Sequence, residues 1–295
     1  MKTLVTGGTG FVGPKIVHAV RAAGHDVRAL VRPRSRTRQL QAWGCELVQG
    51  DMADRASLRA AVEGCEAIVH LVAIIHGSQQ DFESVMSQGT RDLVAAAEEA
   101  GTRRLVLMSA LGVSEETKDL VPYFHAKWQM EQALLASGLE HVVFRPSFVF
   151  GRDGGVLPRF VRQVRWSPVT PVPGSGKTKL QPVWIDDVAA YFARALELSD
   201  ANRTFELGGP DAVTWNELFR RIKRVLAVRR GTVHLPFALL RPAAAVAELL
   251  PAPPVTRDQL TMLQRGGDNT CDIGPAVAAL GVDPISLDEQ LRRAV

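Results

Sequence analysis

Lys2-Thr3-Leu4-Val5-Thr6-Gly7-Gly8-Thr9-Gly10-Phe11-Val12-Gly13 decides the fold. An apolar β-type run, Leu4 and Val5, feeds a glycine turn, Gly7-x-x-Gly10-x-x-Gly13. A helical pattern follows, with Ile16, Val17 and Val20 on one face. Strand, glycine turn and helix in that order make a site for a dinucleotide pyrophosphate. The glycines allow a tight turn, close approach of backbone to phosphate and close helix–strand packing. The helix N-terminus adds unpaired N–H groups and the positive end of its dipole. Gly7, Thr9, Gly10, Phe11, Val12 and Gly13 are the first candidate cofactor contacts.

Further β-type runs lie at 27–31, 46–49, 67–75, 104–108 and 141–145, with helical patterns between them, including 57–63 and 82–100. Near-continuously apolar strands separated by helices imply a parallel sheet covered on both faces. The expected class is α/β, a doubly wound Rossmann sheet with a small, mainly helical C-terminal lobe. At 295 residues and 46% hydrophobic content, the chain suits one large domain plus such a lobe. The dinucleotide-binding domain is expected over 1–165, with 180–200 returning to it. Residues 166–179 and 201–295 are expected to form a substrate or partner lobe.

The formal charge is +4 and dispersed, with one basic cluster at 32–38. No basic face or stacking motif points to nucleic acid. Cys45, Cys65 and Cys271 are scattered without metal-ligand spacing, so no metal site is expected and the thiols suit a reducing, cytoplasmic compartment. The N-terminus runs straight into a strand-like run, so no signal peptide is expected. The apolar stretch 235–250 is interrupted by Pro236, Arg241, Pro242 and Glu248 and is too broken to span a bilayer. It suits an amphipathic helix packed on the core or, as the weaker reading, lying on a membrane or partner surface.

An acidic residue ending the second strand binds the adenosine ribose in NAD-preferring domains. Here the strand ends Leu30-Val31-Arg32-Pro33-Arg34-Ser35-Arg36, and Arg32 stands where the acid would be. A guanidinium suits a 2′-phosphate, so NADP(H) is favoured and NAD(H) is the alternative. Asp51 and Met52, after the third strand, are placed to meet the adenine edge. Tyr123 and Lys127 are four apart and share a helix face. An ammonium there is expected to stabilise phenolate and lower the tyrosine pKa for acid–base work at a carbonyl or alcohol.

These motifs, with Gly50-Asp51-Met52, Met108-Ser109-Ala110 and Arg145-Pro146-Ser147-x-Val149-Phe150-Gly151, resemble the short-chain dehydrogenase/reductase superfamily in its extended or atypical branch. Later stretches narrow the resemblance: Trp166-Ser167-Pro168-Val169, Gln181-Pro182-Val183-Trp184-Ile185-Asp186-Asp187-Val188-Ala189, Phe205-Glu206-Leu207-Gly208-Gly209-Pro210 and Pro254-Val255-Thr256-Arg257-Asp258-Gln259. Together they are similar to the group related to the NADPH-binding accessory subunit of respiratory complex I. The resemblance implies Tyr123 and Lys127 as the catalytic pair, with Ser109 beside them. It implies cofactor contacts at Leu71, Val72, Ala73, Met108, Ser109, Tyr123, Lys127, Pro146 and Phe148. It also exposes two departures. The family's substrate-binding hydroxyl position falls on Ala110, and its helix asparagine before the Gly89-Thr90 pair is Met86.

Other motifs read more plainly. Gly174-Ser175-Gly176-Lys177-Thr178 lacks the first glycine of a P-loop, Pro171 standing there, and is expected to be a surface loop. Asp186 or Asp187 is expected to cap a helix starting at Val188. His70 and His76 are expected as packed or rim histidines, and His125 carries no assigned role. Three functions stay open. The first is an NADP(H)-dependent oxidoreductase on an apolar, quinone- or isoprenoid-like carbonyl or alcohol. The second is a non-catalytic NADPH-holding accessory or assembly protein of a respiratory or quinone-related complex, peripheral to a membrane. The third is a nucleotide-sugar epimerase or dehydratase. Oligomeric state stays open too.

Overall fold

Seven parallel strands make the central sheet: β1 (Lys2–Thr6), β2 (Asp26–Val31), β3 (Glu46–Gln49), β4 (Ala67–His70), β5 (Arg104–Met108), β6 (Glu140–Pro146) and β7 (Arg203–Leu207). They lie in the order β7-β6-β5-β4-β1-β2-β3 in a computed structural model that describes residues 1–250, 253 and 255–295. The chain winds outward in opposite senses from β1, so the switch point lies between β1 and β4. A crevice forms there, outside the carboxyl ends of the strands.

Alternation along the strands sends side chains into two cores. Val5, Val69 and Val106 join one, with helices α1 (Gly13–Ala22) and, later in the chain, Ile185–Ala195. Leu4, Ile68, Leu105 and Leu107 join the other, with α2 (Arg55–Val62), α3 (Gly89–Glu99) and α4 (Pro122–Leu135). This is the period-2 pattern of a sheet buried on both faces. A third core belongs to the C-terminal lobe. It joins α5 (Leu157–Trp166), the end of α6 (Ile185–Ala195) nearest Trp184, α7 (Trp215–Val225) and the C-terminal helix Leu287–Ala294 through Leu157, Trp184, Trp215, Phe219 and Leu291.

Four expectations need correction. β4 ends at His70 rather than at residue 75, because its partner β1 ends at Thr6, which pairs with His70. The helix expected over 82–100 is composite. The short helix Gln79–Asp81, capped by Ser78, leads into a π-helical segment, Phe82–Gln88, and only then into α3.

The lobe does not begin at 201. Arg203–Leu207 pairs in register with β6 and buries Phe205 and Leu207 in the first core. Its alternation of apolar with Thr204 and Glu206 is that of a half-buried edge strand. The helix Gly274–Leu280 also returns to this core through Ala276 and Leu280.

The fourth correction concerns the acidic pair. α6 starts at Ile185, directly after the strand residue Trp184, so Asp186 and Asp187 sit in its first turn and neither caps it. Asp186 pairs with Lys15 at 2.9 Å and accepts from Trp184 Nε1, while Asp187 accepts the Ile285 N–H at 3.0 Å. Both carboxylates still lie where the helix dipole favours negative charge. Pro254 lies outside the described residues.

Candidate functional site

The glycine turn sits at the carboxyl end of β1. Gly7 has φ +79°, and a Cβ there would come within 3.0–3.1 Å of the Leu71 and Val72 backbone after β4. The turn and the end of the neighbouring strand are therefore in contact, as a shared cofactor wall requires. Gly10 N–H donates to the Gly7 carbonyl at 3.0 Å and closes the turn. Gly13 begins α1, and a Cβ on it would lie 2.4 Å from the Gly7 oxygen. No side chain caps this helix start. Thr9 is half-buried, Val12 packs between the first and third cores, and Phe11 is 37% exposed.

Beyond β2, Arg32, Arg34 and Arg36 are all exposed, and with Thr9, Pro33 and Ser35 they line a cavity of about 550 Å³. The cavity thus joins the glycine turn to the basic cluster and contains no acid. Asp51 is half-buried, and its Oδ1 accepts the Ala53 N–H at 3.0 Å, so part of its capacity serves its own turn. Met52 is buried, its carbonyl 2.9 Å from where a Cβ on Gly89 would stand. Leu71 is buried, Val72 half-buried and Ala73 exposed.

The chemistry-bearing pair stands on α4. Lys127 is 1% exposed and Nζ donates to the Met108 carbonyl, at the end of β5, at 2.6 Å. Nζ is 6.0 Å from the centroid of the Tyr123 ring. Burial pushes Lys127 down to about 7, with the Glu131 charge opposing the shift. Burial pushes Tyr123 up to about 12. The expected lowering of the tyrosine is therefore corrected: desolvation of the phenolate outweighs the lysine, whose proton points to a carbonyl rather than to the phenol oxygen.

Around the pair, Ser109 is buried and its Oγ has no hydrogen-bond partner among the described residues. Tyr123 packs against the small cluster of Val113, Val121 and Phe124, which Ala110 and, from the lobe, Met262 also border. Pro146 is buried and its carbonyl accepts the Leu111 N–H at 2.9 Å, which ties the segment after β5 to the end of β6. Phe148 is half-buried with its ring edge-on to Trp215 at 5.7 Å.

Two supports were not anticipated from the sequence. Glu131, fully buried one turn beyond Lys127, accepts both Nε and Nη2 of Arg145, at 2.9 and 2.5 Å. The spacing Tyr123-x-x-x-Lys127-x-x-x-Glu131 on one helix face was the available signal. His70, fully buried, bridges Thr6 Oγ1 at 2.5 Å and Thr90 Oγ1 at 3.0 Å, and Thr90 in turn donates to the Met86 carbonyl. Burial first, then the Lys127 charge, push it down to about 3, so it is a neutral clamp between β1, β4 and α3.

Lys177 is exposed on the turn linking Thr170–Pro173 to Lys179–Leu180, where the flanking Gly176 and Thr178 carbonyls accept the Asn216 and Trp215 N–H groups at the start of α7. His76 is exposed, and His125 is held by Asp119 and Gln129 at the surface. Among the described residues no cluster of three metal-binding side chains occurs, and no helix is long and apolar enough to cross a membrane. A shallow cleft of about 400 Å³ between α3 and α4 contains none of these groups.

The residues present fit a dinucleotide. Gly13 lets the start of α1 pack directly on the backbone of Gly7 and Gly8, that helix start carries no side-chain cap, and a cation-lined cavity continues from Thr9.

Comparison with known proteins agrees. A family model described as NAD(P)H-binding matches residues 7–165. The chain is 27% identical over 270 residues to 4-hydroxy-2-methyl-3-oxo-4-farnesyl-3,4-dihydroquinoline-1-oxide ketoreductase of Stigmatella aurantiaca, covering 85% of this chain and 80% of that protein. It is 28% identical over 255 residues to the mitochondrial NADH dehydrogenase [ubiquinone] 1 alpha subcomplex subunit 9 of Arabidopsis thaliana, covering 83% of this chain and 63% of that protein. The solved structure of gox2253 superposes with a TM-score of 0.81 at 26% identity, covering 99% of this chain and 96% of the other.

Proposed function

The chain belongs to the NAD(P)H-binding family, and from that premise we propose that it is an NADP(H)-dependent oxidoreductase acting on an apolar carbonyl, alcohol or quinone-like substrate. The observation that carries this reading is the Tyr123–Lys127 pair, the lysine buried and the tyrosine half-buried, at the carboxyl edge of a parallel sheet whose first strand feeds the glycine turn. Gly7 to Gly13 hold the pyrophosphate, with Leu71, Val72 and Ala73 along the opposite wall. Arg32 takes the 2′-phosphate. Met108, Ser109, Pro146 and Phe148 border the nicotinamide end. The lobe expected over 166–179 and 201–295, less the strand Arg203–Leu207 and the helix Gly274–Leu280, closes over the substrate. The apolar cluster beside Tyr123, which Met262 of the lobe also borders, favours a substrate of low polarity. The farnesylated ring named for the Stigmatella ketoreductase agrees in kind.

The bound nicotinamide supplies or accepts the hydride. With its pKa near 12, Tyr123 is a phenol at neutral pH and serves as the proton donor to the substrate oxygen in the reducing direction. Lys127, titrating near 7 and anchored on the Met108 carbonyl, sets a buried amine one helix turn from the phenol that gives up its proton. Glu131, fixed by Arg145, steadies the helix turn that carries Lys127.

A second reading, a nucleotide-holding accessory protein of a membrane-associated complex, is favoured by Ala110 at the hydroxyl position and by the unlowered tyrosine. The resemblance to the Arabidopsis complex I subunit points the same way. Calorimetric titration with NADPH and NADH, then a carbonyl and quinone panel, separates the two. The oxidoreductase reading expects turnover that Tyr123→Phe abolishes. Tight NADPH with no turnover on any member favours the accessory reading. Arg32→Asp is expected to weaken NADPH binding about tenfold or more, about 1.4 kcal/mol or greater, and to leave NADH unweakened. An unchanged NADPH affinity refutes the role of Arg32.

A further inference from the structure

Phe11 is the one large apolar side chain on the glycine turn that reaches the surface, at 37% exposure. Its ring does not lie loose. It presses against the loop 151–155, the first segment leading out of the sheet toward the lobe. A Cβ on Gly154 would lie 2.4 Å from Phe11 Cδ2 and 2.8 Å from Cε2. One on Gly155 would lie 2.8 Å from Cε1, and one on Gly151 3.1 Å from Cε2 and Cζ. Three glycines therefore make a surface with no side chains, shaped to one face of one ring.

The loop is anchored at both ends. Phe150 and Gly155 form an antiparallel bridge, and Val149–Phe150 pairs with Val183–Trp184 just before α6. After Val156 the chain enters α5, whose Leu157 is fully buried in the lobe core. Val12, next to Phe11, packs against both that core and the first core of the sheet. The turn that would grip phosphate and the strap that leads to the lobe thus share one aromatic contact.

We propose that Phe11 and the glycine strap 151–155 act as a latch that sets how long a dinucleotide stays bound. This inference rests on the nucleotide-binding reading above. The backbone of Thr9, Gly10 and Phe11 can loosen its hold only if the Phe11 ring leaves the strap. The strap runs on into the entrance of α5, so the contact ties the glycine turn to the first helix of the lobe, and residues 151–155 are positioning residues for the cofactor. Among variants of one interface, affinity changes of this kind appear chiefly in the dissociation rate.

The test loads the full-length protein with NADPH and follows the loss of its fluorescence after mixing with excess NADP⁺. Three variants are compared with the natural sequence: Phe11→Ala, which removes the ring; Gly154→Val, which evicts it; and the double variant. Each single substitution is expected to speed release about tenfold, and the double variant to release no faster than either single one. The melting temperature without nucleotide is measured alongside. Phe11→Ala removes a partly exposed side chain and keeps the result readable if Gly154→Val folds poorly. Release rates within about twofold of the natural protein, or effects of the two substitutions that multiply, overturn the latch. If the natural protein binds neither NADPH nor NADH, the functional reading itself fails and takes the latch with it.

Discussion

Replacing Lys127 by methionine should change how stability depends on pH. The methionine keeps the length of the buried stem and removes the ammonium. In the unfolded chain Lys127 holds its proton up to its ordinary value of 10.5, whereas in the native protein it titrates at about 7. Between those two values the unfolded state binds the extra proton, so stability rises with pH at about 1.4 kcal/mol per unit. Below about pH 7 both states are protonated and the native protein bears the full cost of an ammonium that is 1% exposed. From pH 6 to pH 9 the natural protein should therefore gain about 3 kcal/mol relative to Lys127→Met. His70 falls from an ordinary 6.5 to about 3 on folding and so adds its own pH dependence near pH 6, but it does so in both proteins and cancels in the difference. Urea unfolding of both proteins at pH 6, 7, 8 and 9, with common slopes, gives the difference. Groups unaffected by the substitution cancel, and so does the pH-independent part of the lost bond to Met108. Parallel stability curves over this range would refute the claim that burial dominates the lysine.

Two further substitutions test the frame of the site. Arg145→Ala strands the Glu131 carboxylate, which is fully buried, and should cost about 3 kcal/mol in denaturant unfolding; a loss under about 1 kcal/mol would mean the pair is structurally idle. Gly13→Ala places a Cβ 2.4 Å from the Gly7 oxygen. It should cost about 2 kcal/mol of stability and abolish NADPH binding in calorimetry, whereas retained affinity would show that the turn is not the cradle.

The glycine turn, the apolar strand runs and the Tyr123–Lys127 spacing were legible because each rests on local periodicity or on a residue type with a backbone consequence. β7 was not, because Arg203-Thr204-Phe205-Glu206-Leu207 is short and half polar, and only β6 beside it makes it a sheet strand. The Phe82–Gln88 segment was hidden for another reason. Its π-helical winding, within which the fully buried Met86 accepts from the Thr90 hydroxyl, leaves the same apolar spacing in the sequence as an α-helix would. The sense of the tyrosine shift lay beyond sequence because it depends on where the lysine proton points. Four-residue spacing brings Lys127 to the Tyr123 face, but the carbonyl of Met108 claims the proton. Arg145 and Glu131 were each visible, on a strand and a helix, yet only the tertiary fold shows them as partners.

The return of β7 and of the helix Gly274–Leu280 to the first core bears on how the chain is made. Phe144, on β6, is flanked by the rings of Tyr191, Phe192 and Phe205, and Ala276 and Leu280 complete the same core. A ribosome that has released the first 165 residues thus presents a sheet with β6 as an open edge and Phe144 uncovered on the α6 side. Unpaired edges and bare aromatics are what drive strand addition between chains. The glycine cradle emerges first, but the sheet that holds it stays unsealed until translation has passed residue 280. A message truncated before codon 203 should accordingly yield an aggregating fragment rather than a small nucleotide-binding domain, even though it encodes every residue of the cradle.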